Sequence, residues 1–261
     1  MRQTRSLGSI LLAGVAALLC VATAASLSGC NIFAFAAYAA GGLDKVEKQF
    51  QLEDKPTLIW VDDPQNLLGS PTLSAVVVAN IEFYLKKQDA FGVQEKAKKS
   101  DGWFADSKTQ KPVEEPLLPQ AALYEVQSRL GADFEKASIG EIGKLAGAQQ
   151  VVHVLVTDVV YQASPGYWRP RAVCEVKVLD VIEGKRLFPP QQAFESGVEG
   201  GGPLPGYRVK TELHASTGDM GTDQADMLLL QQKLARNIGL DVSRLFYDWA
   251  PDEPGTRFED K

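Results

Sequence analysis

Nucleophilic and metal chemistry have few places to occur in this chain. It holds two histidines, His153 and His214, and three cysteines, Cys20, Cys30 and Cys174. His153 lies inside the run Val151-Val152-His153-Val154-Leu155-Val156, where a packed or hydrogen-bonded sheet histidine is expected. His214 stands near Ser216, Thr217 and Asp219, the residue types of a hydrolytic triad. A triad needs nucleophile, base and orienting acid in contact, and no Gly-x-Ser-x-Gly elbow is present to build one around. Two distant histidines and scattered cysteines do not give zinc-ligand spacing. Asp62-Asp63 offers oxygens to a hard cation, but a polar strand end is the simpler reading. Glu199-Gly200-Gly201-Gly202-Pro203 is followed by neither Lys-Ser nor Lys-Thr, so it reads as a loop and not as a phosphate cradle. These residues lead us to expect no catalytic residues, no metal and no cofactor.

Cys30 is different, because its chemistry is set by what precedes it. Arg2 and Arg5 lead into an uncharged apolar run from about Ile10 to Ala25, then Leu27-Ser28-Gly29-Cys30. Basic start, apolar middle and small residues at the end make a secretory signal. The last four residues resemble a bacterial lipobox, in which the thiol is acylated and the chain is cut before the cysteine. Cys20 follows Leu18-Leu19 and lacks the small residues such a cut needs. The competing reading is an uncleaved anchor, since no charge falls between Arg5 and Asp44 and a membrane helix needs about 20 residues. Ser26, Ser28, Gly29 and Asn31 interrupt that span where a cleavage site belongs. The lipobox implies a palmitate-type lipid on Cys30 and a bacterial envelope location. The absence of Asp at Asn31 implies the outer membrane, facing the periplasm. Several acyl chains anchor stably where one binds only marginally.

Charge narrows the partners. The net charge is −6, and removal of a signal carrying two arginines takes it to −8. An acidic chain without a basic block excludes nucleic acid as an expected partner, and its overall sign argues against attraction to anionic lipid. With Cys20 removed and Cys30 acylated, Cys174 would stand alone. It alternates with Val176 and Val178, as a buried strand thiol does.

The elements follow from periodicity. Residues 1–29 form the signal, 30–56 a lipidated tether, 57–250 one α/β domain and 251–261 a tail. Thr57–Val61 reads as a buried strand. Ser70-Pro71 caps a helix with an apolar stripe through Leu73, Val76, Val77, Ile81, Tyr84 and Leu85, interrupted only at Asn80, and Lys86 and Lys87 close it. Residues 88–120 read as a long surface excursion with a short helix from Ala121 to Leu130 beyond it. Ser138 and Glu141 make a capping box before a second short helix. Val151–Tyr161 is the strongest strand, apolar on both faces and so central. Ala172–Ile182 is a strand, Glu183-Gly184 a turn, Lys185–Phe188 a return strand, 189–206 a long loop, and Tyr207–His214 a further strand. Asp226–Trp249 is helical, weakened at Gly239. Tyr161, Tyr167 and Trp168, near Pro165-Gly166, fall in the connection between two strands and are the candidate partner surface, although they equally fit as packing.

This order gives an α/β sandwich with a mixed sheet packed by helices. Ser138–Ala148 running into Val151–Asp158, then Val176–Phe188 with its Asp180-Val181-x-x-Gly184-x-x-Leu187 turn, resembles the CsgG-like lipoproteins. It is similar also to the peptidoglycan-synthase-activator lipoproteins and the amino-terminal domain of TolB. That resemblance implies a CsgG-like fold and an envelope-assembly role, but the chain lacks a transmembrane hairpin pattern of the kind a secretion channel needs. The expectation is a non-catalytic lipid-anchored protein that binds or helps assemble another envelope protein. A periplasmic small-molecule or glycan-binding module is the first alternative and an envelope hydrolase the second.

Overall fold

A computed structural model describes residues 45–92, 116–164, 167–190, 205–213 and 224–251. The compact unit runs Glu47–Trp249. It is a mixed α/β fold: a five-stranded sheet with four helices among the described residues. The order is β1 (Thr57–Asp62), α1 (Pro71–Lys87), α2 (Gln120–Leu130), a 3-10 segment (Gly131–Lys136), α3 (Ile139–Leu145), β2 (Gln150–Ser164), β3 (Tyr167–Asp180), β4 (Lys185–Phe188), β5 (Tyr207–Glu212) and α4 (Gln224–Ser243). β1 lies parallel to β2, and β2 and β3 form a long antiparallel hairpin. β4 and β5 share the far edge of β3, β4 along Val178–Asp180 and β5 along Arg171–Val176. No helix of the described residues is long and apolar enough to cross a membrane.

The two faces of the sheet are packed differently. α1 and α4 cover one face and cross closely there. Val77, Ile81 and Leu85 of α1 and Leu234, Ile238 and Val242 of α4 meet Ile59, Val152, Val154, Cys174, Val176 and Val209 of the strands. Gly239 makes the crossing possible, because a Cβ there would sit 2.6 Å from Asn80 Cβ and 2.8 Å from Val77 O. α4 also ties to β5, with Thr211 Oγ1 donating to Asp241 at 2.8 Å. On the opposite face a smaller core joins Leu58, Trp60 and Val151 to Leu123 and Val126 of α2 and Ile142 of α3.

Both expected helix starts form. Ser70 accepts from Thr72 N at 3.2 Å, with Pro71 opening α1. At α3 the Ser138 and Glu141 side chains each bond the other's backbone N–H.

Several boundaries differ from the sequence reading. The compact unit starts before Thr57: Leu52 is buried, and the Gln49 and Phe50 amides donate to Leu245 O at 2.8 and 3.0 Å. Residues 88–92 are no surface excursion, since Ala90 and Phe91 enter the main core. Nor are 116–118, which pair with β1: Thr57 N donates to Pro116 O at 2.6 Å and Leu118 N to Thr57 O at 2.9 Å. Residues 93–115 and most of the 189–206 loop lie outside the described residues. β3 ends at Asp180 and not at Ile182, because the Asp180 carboxylate takes the Ile182 and Glu183 amides and turns the chain. α4 ends at Ser243 and not at Trp249. Beyond it Leu245 and Phe246 are buried in tight turns, their amides donating to Val242 O and Ser243 O. Tyr161 lies within β2, as the strand reading had it, and β2 and β3 run on further than expected, so that Tyr167 and Trp168 open β3 and none of the three sits in the connection.

Candidate functional site

His153 is held in the centre of the sheet. Its Cα registers with Trp60 on β1 and Lys177 on β3. The Trp60 ring meets it edge-on at 4.7 Å, and Phe134 of the 3-10 segment meets Trp60 at 5.5 Å. Nε2 lies 3.4 Å from an Asp62 carboxylate oxygen, a long contact for a hydrogen bond. The residue is buried, and its Nδ1 has no hydrogen-bond partner among the described residues. A histidine and an orienting acid are two parts of a triad, but no hydroxyl or thiol of the described residues bonds this ring. A buried ring set against the Trp60 face of the small core is positioned for packing.

The Asp62-Asp63 pair is already engaged. Asp63 accepts from the Leu67 and Leu68 amides at 2.7 and 2.9 Å, closing the turn before α1, while Asp62 faces His153. Among the described residues no three His, Cys, Asp or Glu side chains gather as a metal site. Cys174 points into the α1–α4 core. Burial first, then the charges of Asp63 and Asp241, push its thiol up to about 12, so at neutral pH it holds its proton and is inert.

Of the three aromatics offered as a partner surface, Tyr161 is half-buried. Its hydroxyl donates to Leu68 O at 3.1 Å and stitches the β2 arm to the Asp63–Ser70 turn. Burial, then the Asp63 charge, raises its phenol. Tyr167 and Trp168 pair with Ser164 and Gln162 along the hairpin backbone, and their side chains lie outside the described atoms. Cys30 and His214 are outside the described residues.

Two features were missed by residue-type reasoning. One is Asp180, which is buried. Its Oδ1 accepts from Ile182 N and Glu183 N, both at 2.8 Å, and its Oδ2 meets Lys55 Nζ at 3.2 Å. The Glu183 amide is the main cause that holds this carboxyl below its usual range, burial opposes it, and Lys55 assists. The signal was present as Asp180 four residues before Gly184, which adopts φ +62°. The other is a charged strip on the sheet face opposite α1 and α4. Register places Arg171, Glu175 and Lys177 of β3 there beside Glu212, Arg208 and Lys210 of β5. Val209 and Thr211 alternate inward, which the sequence of β5 already displays.

No family model matches the chain. No curated protein matches its sequence either. Among solved structures it is similar to a PelC dodecamer from Paraburkholderia phytofirmans, at 11% identity over 80% of this chain and 98% of that one, with a TM-score of 0.33. It is similar to lipoprotein GNA1162 from Neisseria meningitidis, at 11% identity over 67% and 92%, TM-score 0.32. It is similar also to hypothetical protein CT253 from Chlamydia trachomatis, at 16% identity over 72% and 94%, TM-score 0.36.

Proposed function

We propose that this chain is a lipid-anchored, non-catalytic protein of a bacterial envelope that binds or helps assemble another envelope protein. The observation that carries the reading is Leu27-Ser28-Gly29-Cys30 behind an uncharged apolar run. Lipid on Cys30 fixes the chain to a membrane, and Asn31 favours the outer membrane with the domain in the periplasm. The likeness of residues 138–188 to the CsgG-like group belongs to the same proposal. A binding role is supported by how the reactive side chains are used: His153 wedged against Trp60, Asp63 closing a turn, Cys174 sealed in the core.

The anchor is tested by metabolic labelling with a fatty-acid probe. Cys30→Ala should abolish label and leave an unprocessed precursor; equal labelling of both forms sinks the lipobox. The binding role is tested by complementing a deletion strain and scoring co-purified envelope partners. His153→Gln with His214→Gln should retain activity. Tyr167→Ala with Trp168→Ala should lose it through missing contact area. Loss confined to a folded histidine double mutant would reopen the enzyme reading.

A further inference from the structure

We infer that the open half of the outer sheet face, on β3 and β5, docks flat against an anionic lipid surface. The inference rests on the anchor reading of Cys30, which keeps the domain beside a bilayer. The chain as a whole is acidic, yet its charges are segregated. β3, β4 and β5 together carry seven basic residues, Arg169, Arg171, Lys177, Lys185, Arg186, Arg208 and Lys210, against the acids Glu175, Asp180 and Glu212. Strand alternation and register put Arg171, Lys177, Arg208 and Lys210 on one side of the sheet. α2 and α3 cover that side only at the β1 end, and Arg171, Arg208 and Lys210 are exposed.

The acids of this strip are engaged. Glu212 pairs with Arg169 at 2.8 Å, Asp158 lies 3.9 Å from Arg171, and Glu175 accepts from Gly206 N at 2.9 Å. Among the described residues Arg208 and Lys210 have no carboxylate within ion-pair distance. They are two residues apart on one strand and point the same way, so they present cations as a flat row and not as a pocket. A flat row suits a plane of headgroups.

The overall negative charge does not prevent this. The helices of the far face, α1 and α4, carry no excess of acids, and fields from charges elsewhere are screened within about 8 Å at physiological salt, so the bilayer experiences the nearest face. The remaining question is reach. Sixteen residues lie between Cys30 and Glu47, which bounds their span at about 60 Å if fully extended. That is enough to lay a domain of this size on its side. Tethering also raises the effective concentration of the surface, so a contact too weak to hold a free domain can still orient a bound one.

The test uses the full lipidated chain reconstituted in two vesicle types, phosphatidylcholine alone and phosphatidylcholine mixed with phosphatidylglycerol. Flotation with the vesicles reports the anchor. Acylation of lysines by a water-soluble reagent, read by mass spectrometry, reports orientation. Lys210 should be labelled about tenfold more slowly on the anionic vesicles, with protection lost at raised salt. Lys87, on α1, should label equally on both. Arg171→Glu with Arg208→Glu should remove the protection while flotation persists. Equal Lys210 labelling on both vesicles, in protein that floats, overturns the docking. So does protection that appears only when an envelope protein fraction is added, which would assign the strip to a protein partner. Failure to float overturns the anchor reading instead.

Discussion

The two faces of this sheet solve the same problem with different means. On one, two helices of 17 and 20 residues cross over the full width of the strands, and the crossing is close because Gly239 has no Cβ. On the other, helices of 11 and 7 residues cover only the β1 end, and the rest of the face is a charged strip. The first face buries its strands under helices whose outer sides still expose Phe83, Leu228 and Leu229. The second leaves half its area in water, where side chains are available. Burial and exposed charge are thus separated to opposite sides of one sheet.

Substitutions that strike each face should differ in size accordingly. Leu234→Asp should have the largest effect, since it places an unpaired charge in the α1–α4 core at a cost of several kcal/mol. Lys233→Asp, on the neighbouring exposed position, should be mild. Similar urea midpoints for the two would show that the wrong side of α4 has been assigned to the core. Trp60→Ala should follow at about 3–5 kcal/mol, because the second core is small and this ring supports both His153 and Phe134. A loss under about 1 kcal/mol would mean that the β1 end does not depend on its helices.

Gly239→Ala should lose about 1–3 kcal/mol from forced separation of α1 and α4, outweighing the ~1 kcal/mol that alanine gains in a helix. Gly140→Ala on α3 meets nothing within 4 Å and should leave stability unchanged or raise it by up to about 1 kcal/mol. Equal shifts would refute the close crossing. The smallest effect is on the hairpin turn. Asp180→Asn should cost on the order of 1 kcal/mol near neutral pH. The folded carboxyl titrates below its unfolded value, so its contribution is present above about pH 4 and fades as pH falls through the folded pKa. The denaturation curves of the parent and of the Asp180→Asn variant should therefore converge in acid; a constant gap would refute the charged role.

How much of this was legible depended on where the information sits. Ser70-Pro71 and the Ser138–Glu141 box are local signals, and both caps form where the sequence puts them. The apolar run Val151–Val156 announced a central strand, and the alternation of Cys174 with Val176 and Val178 a buried one beside it. Gly239 read as a weakness within one helix, because the partner that requires it, Asn80, lies in a distant helix. Leu52 looked like tether, because its burial depends on contacts with elements far along the chain. The end of α4 was misread because Leu245, Phe246 and Trp249 keep helical spacing after the helix has stopped. The tight turns after Ser243 bury Leu245 and Phe246 instead. The candidate site was less legible than the fold: residue types pointed to aromatics near Pro165-Gly166, whereas the charged strip needs cross-strand register, which no single segment contains.

One small contact bears on how this protein responds to pulling. The Lys48 amide donates to Asp248, and the Gln49 and Phe50 amides donate to Leu245 O, so the start of the compact unit is fastened to the turns just after α4. A pull applied to the chain ahead of Glu47 would reach these bonds first. Peeling these few bonds one at a time takes little force, and it releases Leu52 from the core before any strand ladder is strained. Under such a load the segment would act as a mechanical fuse, lengthening the entry of the domain ahead of β1.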